Sequence, residues 1–300
     1  MKSTRTIAVA AATAAAVSAT LLLSGCTSSV GSSADASPSM AKLEHIHELV
    51  AGVEPGILLA ATHDGLYRLS INVTGETKAV GPIGGLDFDP MGFTIADGTA
   101  YASGHPGPTT PKAFGGPNLG LITSTDVGAT WTNIALTGTT DFHGLAVMTA
   151  GGGPARVFGI DESKQRIERS LDGGVTWSAG PSLVARDILV LNTTLYATTP
   201  DGLAVSNDTG ATFTLDPGAP PFYLLAADKE STLVGVDTSG TLWTRPAGQN
   251  WSAGHTLTGT GTGTVQALAV DGARIFVADD RGITFTDNVG ATWTSMKVHK

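Results

Sequence analysis

Cysteine occurs once in these 300 residues, charged residues make up only 14% and aromatic residues 6%. One cysteine makes no disulfide framework, which excludes a small cross-linked scaffold. Eight lysines and seven glutamates are too few for a helical bundle or coiled coil, whose surfaces draw on such helix formers. Positive charge is scarce as well. Seventeen Lys and Arg stand against 26 Asp and Glu, a net charge of −9 that disfavours nucleic acid and anionic lipid as partners. A P-loop, a dinucleotide-binding glycine motif, a serine-hydrolase elbow and an H-E-x-x-H helix are all missing. Low charge and 41% hydrophobic residues exclude disorder. What the chain has in plenty is glycine. Its 39 glycines are about twice the usual frequency, and without a collagen period they mean many turns. The expectation is an all-β protein with a large core.

The longest apolar stretch, Ile7 to Leu23, follows Lys2 and Arg5 and ends in Leu23-Ser24-Gly25-Cys26. A basic start, an apolar middle and small residues at the end describe a signal peptide. At 17 residues diluted by Thr and Ser, the stretch is short for a membrane span. The final tetrapeptide resembles a bacterial lipobox. That resemblance implies a lipoprotein signal peptide over 1–25 and diacylation of Cys26. Residues 26–41 read as a Ser/Ala-rich flexible tether reaching about 20 Å, with the folded part over 42–300. The protein would then be exported and lipid-anchored to the extracytoplasmic face of a bacterial membrane. Without Lys2 and Arg5 the net charge is −11, 15 basic against 26 acidic residues. The folded part has no thiol, which excludes thiolate catalysis, zinc ribbons, iron–sulfur clusters and blue-copper sites there.

An internal repeat decides the fold. Ser124-x-Asp126-x-Gly128-x-Thr130-Trp131 recurs as Ser170-x-Asp172-x-Gly174-x-Thr176-Trp177 and as Ser206-x-Asp208-x-Gly210-x-Thr212-Phe213. A weaker copy carries Thr286, Asn288, Gly290, Thr292 and Trp293, and Gly248 with Trp251 are a remnant. The pattern is similar to the Asp box, or BNR repeat. Physically, Asp126, Asp172, Asp208 and Asn288 can cap a tight turn while the glycine supplies positive φ. The aromatic residue begins the next strand and packs beneath the turn. Each copy therefore reads as a structural hairpin turn. Successive aromatic residues are 46, 36, 38 and 42 apart, and four short alternating strands surround each turn. Four strands repeated about every 40 residues describe a propeller blade. Six such units make a six-bladed β-propeller over 42–300.

Strand alternation puts the turn between second and third strands, and the entry to each first strand, on one face, here the top. Five of the seven histidines fall there on blades one to three. His45 and His47 open blade one, His63 and His105 follow the second strands of blades one and two, and His143 opens blade three. His45 and His47 are expected to share one side of a strand, as are Asp87, Asp89 and Met91. At the His63 position blades four to six carry Pro200, Thr238 and Asp280. Scaffold residues recur from blade to blade, so this asymmetry marks a site. The long insert from Gly104 to Leu119, with four prolines, reads as a lid or binding wall. Three readings remain open. In one, His47, His63, His105, His143 and Asp89 supply metal ligands, zinc suiting imidazole with carboxylate and copper suiting imidazole with the Met91 thioether. Alternatively, His45, His47, His63, Met91, His105 and His143 line an organic-ligand or catalytic pocket, or they are strand-end residues with no ligand.

Asp boxes on six blades resemble the sialidases, xyloglucan-cleaving glycosidases, sortilin-type receptors and photosystem assembly factors. The paired His45/His47, Thr62–Leu66, Ser103–Pro106 and Asp141–His143 are most similar to small exported bacterial propellers labelled glycosyl hydrolases or exo-sialidases. The resemblance implies a propeller fold and, for the enzyme reading, a glycan substrate cleaved by paired carboxylates, with Asp64, Asp87, Asp89 and Asp141 as top-face candidates. The sialidase arginine triad has no counterpart, because His45-Ile46-His47 stands where its first arginine would open blade one. A protein-interaction scaffold is the third class. The partners expected are thus a membrane through Cys26 and a small ligand, metal or glycan, with no nucleic acid.

Overall fold

The computed structural model describes residues 43–72, 74–149, 153–257 and 265–299. The signal peptide over 1–25, Cys26 and the tether over 26–41 lie outside the described residues. The described chain forms six sheets, antiparallel but for one added strand in the first, arranged as the blades of a propeller. Blade one runs through Ile46–Ala51, Ile57–Thr62, Gly65–Ile71 and Glu76–Val80, and blade two through Asp89–Ala96, Thr99–His105, Leu121–Ser124 and Thr132–Ala135. Blade three uses Leu145–Met148, Arg156–Asp161, Arg166–Ser170 and Ser178–Ser182. Blade four uses Asp187–Leu191, Thr194–Thr199, Gly202–Ser206 and Thr214–Leu215. Blades five and six begin at Phe222–Ala227 and Val265–Asp271, and their outer strands are Ser252–Thr256 and Thr294–Ser295. The first strand of every blade lines a central channel of about 260 Å³.

The last strand differs from expectation. Lys297–His299 leaves blade six and pairs in parallel with the outer strand of blade one, with Val298 opposite Thr77. Val298 is buried there, and Lys297 and His299 both contact Glu76. His299 thus belongs to ring closure.

The core is divided among the blade interfaces. Leu59 and Leu66 of blade one pack with Phe93 and Ile122 of blade two, Phe158 of blade three with Leu195 of blade four, and Leu49 of blade one with Phe276 of blade six. Fully burying one such side chain contributes about 1.5–3 kcal/mol. The repeat turns lock these interfaces. The Ser124 hydroxyl donates to Asp126 Oδ1 at 2.7 Å and accepts the Gly128 N–H at 2.8 Å, while Thr130 donates its N–H and hydroxyl to Asp126 at 2.8 and 2.6 Å. Asp172 and Asp208 accept the same set. Each glycine also meets the preceding blade closely. A Cβ on Gly174, whose φ is 93°, would lie 2.2 Å from the Leu121 side chain. Trp131, Trp177, Trp251 and Trp293 stand one residue before the outer strands and not in them, with Trp131 edge-on to Phe88 at 5.4 Å and Trp177 against Phe142 at 4.8 Å.

Candidate functional site

Register puts the histidines at one end of the blades. Asp89 pairs with His105 at that end of blade two, whereas the Ser124 turn sits opposite Ala100 at the other. The inner strands carry a device that sequence spacing did not show. In blades one, two, five and six the register slips by one residue near the start of the inner strand, leaving His47, Met91, Tyr223 and Gln266 as the bulged residues. A bulge re-aims a side chain, and all four line a mouth cavity of about 530 Å³ at the top of the channel. The expected sharing of one strand face by His45 with His47, and by Asp87 with Asp89 and Met91, is therefore not what is found. His45 lies before the strand with φ 38°, and its ring meets His47 edge-on at 4.7 Å.

Asp89 is the hub. Its Oδ1 lies 2.9 Å from His47 Nε2 and its Oδ2 lies 2.9 Å from His63 Nδ1. One donor atom from each of the three lies within 4.8 Å of the others, the one such trio of His, Cys, Asp or Glu among the described residues. His47 and Asp89 are 8% and 13% exposed at their side chains, while His63 is 64% exposed, so solvent reaches the trio from the His63 side. His47 Nε2 and Asp89 Oδ1 are both buried, 2.9 Å apart. Burial pushes the Asp89 carboxyl up, but the His47 contact and the charges of His47, His63 and His105 outweigh it and hold it below the usual range. Burial, with the charges of His47 and His63, lowers His45.

The arc continues through His105. Its Nδ1 is 3.9 Å from Asp89 and its Nε2 is 3.4 Å from Asp141. Asp141 Oδ2 meets His143 Nε2 at 2.9 Å, and His143 Nδ1 lies 3.2 Å from Glu162. The Asp141 hydrogen bond raises the His143 pKa against burial, with Glu162 adding to it. Five candidates thus form a chain of imidazoles and carboxylates over three blades and not one centre; His105 and His143 stand outside the close trio. Met91 faces the mouth.

The other carboxylates separate. Asp87 accepts the N–H and hydroxyl of Thr109 at 2.8 and 2.7 Å and thereby anchors the 104–119 insert. Asp64 is exposed in the turn after His63, its N–H bonded to Thr62 Oγ1. The Asn118 carbonyl accepts the Gly138 N–H and the Ala113 carbonyl accepts from Asn133, so the insert folds onto its own blade, and none of residues 106–119 lines the mouth. Sequence reasoning missed Glu162, although it follows the second strand of blade three as His63 follows that of blade one. Arg186 and Tyr223, at the mouth with the guanidinium 4.1 Å over the ring, left no pattern to find. Where mouth meets channel, Glu48 and Asp187 line both cavities. Burial pushes Asp187 up to about 6 and raises Glu48 well above the usual carboxylate range, aided by the charge of Asp187.

A scan against protein-family models and a search of curated proteins return no match. Among solved structures, the chain is similar to one in a nidogen/laminin complex, at 16% identity and a TM-score of 0.57, covering 80% of this chain and 93% of that one. It is similar to PorZ, a surface component of the type-IX secretion system of Porphyromonas gingivalis, at 11% identity and a TM-score of 0.55 over 86% of this chain and 39% of that one. The GH74 xyloglucanase of Xanthomonas campestris gives 17% and 0.53, with 85% and 46% covered. This chain therefore spans less than half the length of the last two. At such identities the likeness is one of fold: the chain is an all-β, six-bladed propeller with β-propellers as its structural neighbours.

Proposed function

We propose that this propeller binds one divalent transition metal, zinc before copper, through His47 Nε2, His63 Nδ1 and Asp89. The lipobox would hold it by Cys26 on the extracytoplasmic face of a membrane. The observation that carries the reading is the convergence of His47, His63 and Asp89, whose donor atoms lie within 4.8 Å of one another, with His47 Nε2 and Asp89 Oδ1 2.9 Å apart. Two donors of one tetrahedral zinc ion stand about 3.3 Å apart, so the pair needs only a small adjustment to face a shared ion. Two imidazoles and a carboxylate are a zinc-binding donor set, and three protein ligands leave a position open to a ligand or water. His105, 3.9 Å from Asp89, is the nearest further imidazole. Copper would draw in addition on Met91.

Calorimetric titration of tag-free, metal-stripped protein with Zn2+ and with Cu2+ tests the reading. One site per chain is expected, with Asp89→Asn and His63→Ala each weakening it by about 100-fold or more. Wild-type affinity in both variants contradicts it. A second reading, a glycoside hydrolase of the sialidase superfamily, draws on Asp89 and Asp141 standing in one arc. Turnover of chromogenic glycosides that ceases in Asp89→Asn and Asp141→Asn supports it, and turnover that survives both contradicts it.

A further inference from the structure

Blade five keeps the glycine and the tryptophan of the repeat turn, Gly248 and Trp251, but has Pro246 at the aspartate position and Asn250 at the threonine position. The turn retains a backbone bond, Gln249 N–H to the Pro246 carbonyl at 3.0 Å, yet proline offers no side-chain acceptor to cap it. The consequence is felt at the blade interface. The glycines of the other turns press on the blade before them. A Cβ on Gly128 would lie 2.6 Å from Leu66, on Gly174 2.2 Å from Leu121, on Gly210 3.2 Å from Phe158 and on Gly290 3.3 Å from Leu242. A Cβ on Gly248 would meet no atom within 4 Å. Blade five thus leaves part of the facing side of blade four uncovered, and a cavity of about 330 Å³ lies there.

The walls of this cavity narrow the ligand. Tyr196, Val205 and Thr214 stand opposite one another on three neighbouring strands and form its base. At one rim the Thr194 hydroxyl donates to Asn207 Oδ1 at 3.0 Å, and the Asn207 amide N–H groups have no acceptor among the described residues. At the other, Arg245 reaches across from blade five. It donates to Asp216 at 3.0 Å and to the Tyr196 hydroxyl oxygen at 3.3 Å, with its guanidinium 4.8 Å over the Trp251 ring. Arg245 and Asp216 neutralise each other, so the groove offers no unpaired charge to an anion or a cation. Tyr196 keeps its own O–H to donate. Leu215, 52% exposed, adds an apolar edge. Ring, aliphatic, hydroxyl and amide groups without net charge suit a ligand with hydroxyls at its rim and C–H groups on its faces. A volume at the small end of the range for ligand sites, about 300–1,000 Å³, limits it to roughly one sugar ring.

We propose that the groove between blades four and five binds an uncharged pyranoside, its hydroxyls held by Asn207, Tyr196 and Asp216 and its C–H face laid along Leu215. The groove is beside the Ser206 turn, at the end of the blades away from the histidines, and needs no ion. Ligand-observed NMR on metal-stripped full-length protein tests it, with the methyl glycosides of glucose, galactose and mannose as probes. At least one is expected to saturate by about 10 mM, the weak affinity of so small a ligand. The matching uronic acid and 2-amino sugar should bind no more tightly. Thr214→Trp fills the groove from an exposed position and should cost at least about tenfold in affinity. Asn207→Ala, also exposed, removes one donor and should cost about three- to tenfold. Both variants should keep the wild-type melting temperature and zinc affinity, and zinc should leave glycoside affinity unchanged. Three results overturn the proposal: no glycoside saturates, a charged analogue binds more tightly, or affinity is unchanged in both folded variants. Absence of zinc binding in the wild type would count against the metal reading alone.

Discussion

Asp89 and Asp87 are two residues apart and have opposite fates. Asp87 accepts from Thr109 through Oδ1, while Asp89 stands between two imidazoles, each 2.9 Å from one of its oxygens. The same contrast separates the histidines. His143 is bracketed by Asp141 and Glu162, and its raised pKa means that the folded state favours imidazolium. Its contribution to stability is therefore full below the unfolded value of about 6.5 and is lost as pH rises through the higher folded value. NMR titration of metal-stripped protein should show the His143 pKa above 6.5 and Asp141→Asn lowering it; an unmoved value contradicts the bracket. At this scale the sequence was half readable. His63 and His105 stood out because they repeat a position at the end of the second strand, His63 just after it and His105 as its last residue. Glu162 fills that position in blade three but escaped a search keyed to histidine. Arg186 and Tyr223 were invisible, because their proximity comes from two blades meeting and from a bulge that no residue type announces.

The turn element was readable in full, because Ser, Asp, Gly and Thr recur at fixed spacing and each has one hydrogen-bonding job. Asn288 shows how the turn tolerates change. It accepts the Thr292 N–H at 2.9 Å as Asp does, but its amide donates to the Thr292 hydroxyl, where Asp accepts from it. In the three aspartate copies the threonine hydroxyl and N–H hold the carboxyl at about 2. Their stabilising effect is present above the ordinary carboxylate pKa of about 3.9 and is lost as pH falls toward about 2. Thermal unfolding should show Asp208→Ala lowering the melting temperature at pH 7 more than Asp208→Asn, with the Asp208→Ala deficit shrinking near pH 2. A deficit independent of pH would mean that the carboxylate charge is not what holds the turn. The inner-strand bulges were not readable, since a one-residue slip in register preserves the apolar pattern while changing which side chain enters the mouth.

At the scale of the whole molecule, six blades bury their side chains against neighbours, so the ring gains its last interface only when blade six meets blade one. Strand Lys297–His299 reinforces that closure along Glu76–Val80. Removing residues 297–300 exposes the cavity left by Val298 and should cost about 2 kcal/mol, mostly apolar burial, with the surface ion pairs to Glu76 adding little. Urea unfolding measures it, and an unchanged midpoint would show that closure rests on the blade interfaces alone. Packing of blade one on blade two brings His47 and His63 to Asp89, and the ring sets Arg186 of blade four at the mouth. The trio is therefore a property of one blade interface. Crystals of tag-free protein soaked in Zn2+ and measured on both sides of the zinc absorption edge test it most directly. The account predicts one strong anomalous peak within bonding distance of His47 Nε2, His63 Nδ1 and Asp89. No peak there, or a peak only at His143 and Glu162, would contradict it.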